Sequence, residues 1–209
     1  MSESPRKRGR PATIDTQTAM QSVVELFRAK GYAAVSLDDL SEATGLSRPS
    51  LYRSFGNKLS MYLNAMDAFV DQVAETALPA LREPGDLSEA LSNFYAEMLT
   101  IYYRDGDMAP GCLVYATAPS SADDETIQTR LKLSIESTDS LMRARILTDA
   151  PDLDPETLDT AVQIASNTLI AFSARAKSGA TKAELLDMGR QSARTIAMLV
   201  SAARTRRPL

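Results

Sequence analysis

SLDDLSEATGLSRPSLYRSFGNK, residues 36–58, decides how this chain folds. Ser36 is a helix-capping residue, and Asp39 stands three residues on, the spacing of a capping box. Leu37 and Leu40 face inward, and Ala43 is small enough for a close helix crossing. Gly45 sits where the chain must turn through positive φ, which glycine allows at no Cβ cost. Ser47 then caps a second helix. Pro49 falls in its first turn, where no helical N–H is lost. Leu51 and Phe55 recur four residues apart and anchor that helix, leaving Arg48, Ser50, Tyr52 and Arg53 on its other faces. Two short helices joined this tightly form a helix-turn-helix, whose second helix is suited to a DNA major groove.

The flanking sequence extends the same pattern. Ala19, Val23, Leu26 and Phe27 line one face of a helix predicted over 15–30, and Gly31 stops it. Downstream, one long helix is expected over 57–81, shared between a head and a body. Further on, Ile127, Leu131, Ile135, Leu141 and Ile146 keep helical spacing, as do Leu158, Val162, Ala165, Leu169 and Phe172. Leu185, Leu186, Met188, Ile196 and Leu199 continue it, and alternating strand patterns are nearly absent. The reading is an all-α protein of about nine helices. A flexible basic arm is assigned to 1–14, a helix-turn-helix domain to 15–60, and a sensing and dimerisation domain to 61–209.

Composition narrows the chemistry. The 209 residues carry a net charge of −4, unevenly placed. Residues 1–60 hold nine Lys/Arg against six Asp/Glu, a net +3, whereas 61–209 hold fourteen against twenty-one, a net −7. A basic head on an acidic body suits a protein that offers one end to nucleic acid. There is no histidine, which removes Ser-His-Asp triads, Cys-His pairs and most zinc sites. No catalytic residue, metal or cofactor is assigned, and the protein is not expected to be an enzyme. The single cysteine, Cys112, has no internal disulfide partner. No apolar run approaches the ~18 residues that span a bilayer, and the N-terminal charges have no apolar stretch behind them. A cytoplasmic location without membrane contact is therefore expected.

The N-terminal run Arg6-Lys7-Arg8-Gly9-Arg10-Pro11 resembles an AT-hook, a minor-groove arm. Its glycine lets the backbone sit deep in the groove while Arg6, Arg8 and Arg10 follow the negative potential there.

The strings ELFRAKGYAAVSLDDLSEATGLS and LYRSFGNK resemble the N-terminal region of the TetR/AcrR family of bacterial transcriptional regulators. The matching elements are Phe27, Gly31, Ser36, Leu51-Tyr52, Phe55 and Lys58. The likeness spans roughly residues 15–66. It implies that the helix after Ser47 is the recognition helix, with Arg48 and Ser50 toward bases and Tyr52 and Lys58 on phosphate. Arg53 is a further phosphate candidate, and the capping residues Ser36 and Ser47 join the DNA-facing set. Lys58 begins the next helix, whose N-terminal dipole favours an anion.

The resemblance further implies a homodimer on a pseudo-palindromic double-stranded operator, with two heads about 34–36 Å apart. The last two helices are rich in small residues and are expected to form a four-helix interface. Ala161, Ala165, Leu169, Ser192, Ile196 and Leu199 are the candidates. The middle helices supply an aromatic and Met-rich set, Tyr95, Met98, Tyr102, Met108, Cys112, Tyr115, Met142 and Phe172. That set suits a cavity for a small apolar effector, whose binding would release the head from DNA. Two alternatives stand beside this repressor reading. One is a helical small-molecule-binding protein or enzyme whose head is only structural. The other is a regulator that senses oxidants or electrophiles through Cys112.

Overall fold

The computed structural model describes residues 15–103 and 109–205. The arm residues Arg6, Arg8 and Arg10, and the cavity candidate Met108, lie outside them. Among the described residues there are ten α-helices, one 3-10 turn and no strand.

The head is α1 (Thr16–Ala34), α2 (Leu37–Thr44) and α3 (Arg48–Phe55). Val23, Phe27, Leu40, Leu51 and Phe55 meet in its core, each at most 6% exposed. Gly31 interrupts α1 with φ 77°, so regular helix ends there, as expected. The capping box is formed: the Asp39 amide donates to Ser36 Oγ at 3.1 Å, and the Ser36 amide donates to Asp39 Oδ2 at 2.8 Å. Gly45 ends α2 at φ 68°, in the left-handed region. Ala43 is exposed rather than wedged at a crossing. Thr44 occupies the buried position, its hydroxyl donating to the Leu40 carbonyl at 2.7 Å and accepting from the Leu46 amide at 3.2 Å.

The helix expected over 57–81 is two helices, α4 (Lys58–Thr76) and α5 (Leu78–Arg82). Pro79 explains the break. It lacks the N–H that the Glu75 carbonyl would accept, and its ring crowds that carbonyl. The body continues with α6 (Leu87–Tyr102), the short α7 (Leu113–Thr117), a 3-10 turn at Pro119–Ser121, and α8 (Glu125–Asp149). The chain then closes with α9 (Pro155–Lys177) and α10 (Lys182–Thr205). α10 packs on α6 and α9, α8 packs on α9, and α1 packs on α4 and α7. No described helix is long and apolar enough to cross a membrane.

Candidate nucleic-acid interface and internal cavity

α3 is held from below and open above. Leu51 and Phe55 pin it to the head core. Ser47 Oγ accepts from the Ser50 amide at 3.4 Å and lies 3.0 Å from Ser50 Oγ, so both hydroxyls shape the helix start. Arg48, Tyr52, Arg53 and Ser54 are exposed on the outer side, with Tyr52 at 48%. Tyr52 is thus a large aromatic held in solvent on the same helix as two exposed arginines.

Two cations of this face already have partners. Arg48 Nε donates to Asp38 Oδ1 on α2 at 2.9 Å, and its Nη2 donates to the same oxygen. Lys58 lies 4.6 Å from the centre of the Tyr32 ring and donates to the Ala33 carbonyl at 3.4 Å. Neither Asp38 nor Tyr32 stood out in the sequence, because an acid in the first turn of a helix reads as a dipole partner. Ser36 spends its hydroxyl on the capping box, donating to Asp39 Oδ2 at 2.5 Å. Lys30 reaches the other oxygen of Asp39 at 2.6 Å and ties α1 to α2. These contacts hold the Asp39 carboxyl below the usual carboxylate range, the Lys30 hydrogen bond most strongly.

The head is keyed to the body by a buried arginine that sequence reasoning missed. Arg28 on α1 is 1% exposed. Its Nε and Nη2 donate to the Gly111 carbonyl at 3.2 and 3.1 Å, and Nη2 also donates to the Ile101 carbonyl at 3.1 Å. Nη1 meets the Glu25 carboxylate at 3.0 Å, and the guanidinium lies 5.3 Å from the Phe69 ring centre. Ile101 is in the last turn of α6, where carbonyls lack intrahelical partners. A second bridge joins Tyr62 on α4 to Thr117 on α7, hydroxyl to hydroxyl at 2.6 Å.

Directly behind Phe69 is a mostly apolar cavity of about 370 Å³. Phe69, Val70, Val73 and Ala74 of α4 form one wall, and Arg130, Leu133, Ser134, Ser137, Thr138 and Leu141 of α8 form the facing wall. Leu78 of α5, Phe94 and Met98 of α6, Cys112, Val114, Tyr115 and Leu169 complete it. Met98, Cys112 and Tyr115 therefore line the cavity as the sequence suggested. Tyr95, Tyr102, Met142 and Phe172 do not. Tyr95 and Phe172 pack edge to face, 5.5 Å apart, where α6, α9 and α10 cross. Gly189 of α10 comes so close that a Cβ there would lie 3.0 Å from the Phe172 ring. Met142 is fully buried one position past Leu141, about 100° further round α8.

Tyr102 is also fully buried. Its hydroxyl lies close to the Cys112 thiol and has no hydrogen-bond partner among the described residues. Burial pushes the Cys112 thiol up from its ordinary value. Cys112 is 3% exposed. A protonated, enclosed thiol is a poor nucleophile, which speaks for packing rather than redox sensing.

Many small residues of the last two helices serve the chain's own packing, while Ala174, Ser201 and Ala202 are exposed. Ala161, Ala165 and Ile196 are 0% exposed and Leu169 is 3% exposed, facing the cavity. Their side chains are therefore not on a face that a second copy reaches. Ser192 hydrogen-bonds Thr168 within the chain at 2.7 Å, hydroxyl to hydroxyl. Leu199 is half-buried, while Met198, which was not singled out, is 65% exposed.

A head with an open second helix, locked to a hollow helical body, defines a helix-turn-helix protein with an internal, mostly apolar cavity. Residues 21–65 match the family model described as bacterial regulatory proteins, tetR family. Among curated proteins, the HTH-type transcriptional repressor ComR of Escherichia coli is 30% identical over 120 residues, 57% of each chain. The HTH-type transcriptional regulator EthR of Mycobacterium tuberculosis is 36% identical over 101 residues, 47% of this chain and 45% of its own. The chain thus spans about half the length of the curated relatives it matches. A solved TetR family transcriptional regulator, a cysteine mutant of CifR complexed with 26-bp double-strand operator DNA, superposes with TM-score 0.75. It is 26% identical, and the match covers 88% of this chain and 98% of that one. The N-terminal segment is thus similar to the TetR family of bacterial regulatory proteins, and the whole chain has the fold of a solved TetR family regulator.

Proposed function

We propose that the protein is a ligand-responsive transcriptional regulator that binds operator DNA as a homodimer. The arrangement that supports this most is the outward face of α3, joined through Arg28 to the wall of the cavity. Arg48 releases Asp38 to reach a base edge, and Tyr52, Arg53 and Lys58 take phosphates. A small molecule in the cavity displaces Phe69 or Cys112, and both neighbour the Arg28 contacts. The shift passes along α4 to the head and changes the spacing of the two recognition helices. A coupling of about 1–3 kcal/mol, a 5–150-fold change in operator affinity, is ordinary for such linkage. The regulator acts as a repressor, as the names of ComR and BdcR state for those relatives, although the relative FasR is named an activator. The dimer interface uses the outward faces of α9 and α10, around Met198, because their inward faces are filled.

The test is a gel shift on the DNA upstream of the protein's own gene, with sedimentation to give the stoichiometry. Wild type should retard it as a dimer per site, and Arg48→Ala and Tyr52→Ala should weaken retardation at least about tenfold. Equal retardation by both variants would remove α3 from the interface.

A further inference from the structure

Among the described residues, one charged residue lines the cavity, and it sits at the mouth. Arg130, on α8, borders both the cavity and the shallow surface groove beside it. Its guanidinium is paired with Asp67 of α4. α4 and α8 form the two walls facing each other, yet they are not among the closely packed helix pairs. This ion pair therefore spans a gap that side chains do not fill.

Both members are partly in water, with side-chain exposures of 35% for Arg130 and 51% for Asp67. The pair is therefore exchangeable, since exposed ion pairs are weak. The lips of the same opening are apolar: Val70 is 43% exposed and Leu133 51% exposed. Exposed Val and Leu side chains next to a guanidinium make a portal that is greasy inside and cationic at the rim. About one and two turns further along α8, Ser134 and Thr138 add only hydroxyls, and Thr138 is already bonded to Tyr115 at 2.7 Å.

We propose that the cavity takes a monoanionic amphiphile, an apolar body with one carboxylate, and that this carboxylate replaces Asp67 on Arg130. The inference rests on the cavity being the effector site and adds the ligand class and the release step. A planar carboxylate matches the guanidinium fork with two parallel hydrogen bonds. The apolar body fills the space between Phe69 and Leu141. Freed from Arg130, Asp67 no longer holds α4 against α8, and α4 carries the head. A polyanion is disfavoured, because among the described residues no second cation lines the cavity.

The experiment is calorimetric titration of the full chain with decanoate and with decanol, two probes of equal length that differ in the charged group. Wild type should bind decanoate at least about threefold more tightly than decanol. Arg130→Gln should abolish that preference and leave decanol binding unchanged. Asp67→Asn removes the competitor and should tighten decanoate alone. Crystals with decanoate should show its carboxylate on Arg130. Equal binding of the two probes by wild type, or a preference that survives Arg130→Gln, overturns the anion site but leaves the cavity as the effector site. Failure of both probes to bind any variant overturns the cavity reading together with this one.

Discussion

Replacing Arg28 by Met tests the joint between head and body. The methionine keeps much of the stem's volume and deletes the guanidinium. Two enclosed carbonyls, those of Gly111 and Ile101, then lose their donors. An unsatisfied buried polar group costs about 1–3 kcal/mol, so the pair costs roughly 2–6 kcal/mol. Two effects work against this. The penalty for burying the charge disappears, and Glu25, whose side chain is 33% exposed, regains water. The net loss should be about 2–4 kcal/mol, within the range for breaking a buried polar network. For a chain of this length each kcal/mol moves Tm by about 2–4 °C, so Tm should fall by roughly 5–15 °C. Arg28→Lys should lie between, since a single ammonium does not span two carbonyls and a carboxylate. Glu25→Gln should cost less than the Met variant, because the Gly111 and Ile101 carbonyls keep their donors. Differential scanning calorimetry of the four proteins decides the matter. A Met variant melting within about 2 °C of wild type, against the scale set above, would mean that Arg28 is not the key. So would a Glu25→Gln variant as damaged as the Met variant.

Two further expectations concern the same framework. Gly111→Ala should lower the urea midpoint by the equivalent of at least about 2 kcal/mol, from left-handed strain and steric conflict together. Gly111 has φ 77°, and a Cβ there would lie 2.9 Å from the Ser173 carbonyl; an unchanged midpoint would refute this. Asp39→Asn should destabilise the head at neutral pH but not in strong acid. The Asp39 carboxyl is held low when folded, so its contribution is complete above its unfolded value near pH 4. It is lost as pH falls from there through the folded value. Melting curves of wild type and variant should converge in acid, and a gap that stays constant would contradict the capping-box account.

What the sequence made legible was local. Ser36, Asp39, Gly45, Ser47 and Pro49 act on neighbours a few residues away, and their caps and turn appear as written. Leu40, Leu51 and Phe55 had to face inward, because a helix of eight residues has little else to bury. Periodicity says that Tyr95, Met142 and Phe172 are inside, but not which interior surface they meet. Gly189, a residue with no side chain to notice, admits α10 against the first and third and takes them from the cavity. The alanines of α9 illustrate the same limit, since close helix approach within one chain and between two chains demands the same small residues.

The arginines show where a single sequence is blind. On a helix, Arg28 and Arg130 read as solvated charge, and Arg48 as a base contact with no partner of its own. Arg28 finds its main acceptor 83 residues away. Arg48 and Arg130 take carboxylates on other helices. Each stands where two parts meet: head on body, α2 on α3, and α4 across the cavity from α8. Their burial sets their roles apart. Arg28 is sealed, and exchanging its partners would strand backbone carbonyls, so it holds the joint rigid. Arg48 and Arg130 are wet enough to exchange one anion for another at little cost. In the proposed mechanism a phosphate or base acceptor competes at the first and a carboxylate ligand at the second, with a fixed lever between them. A regulator needs that division, because a signal crosses a protein only if its ends yield and its middle does not.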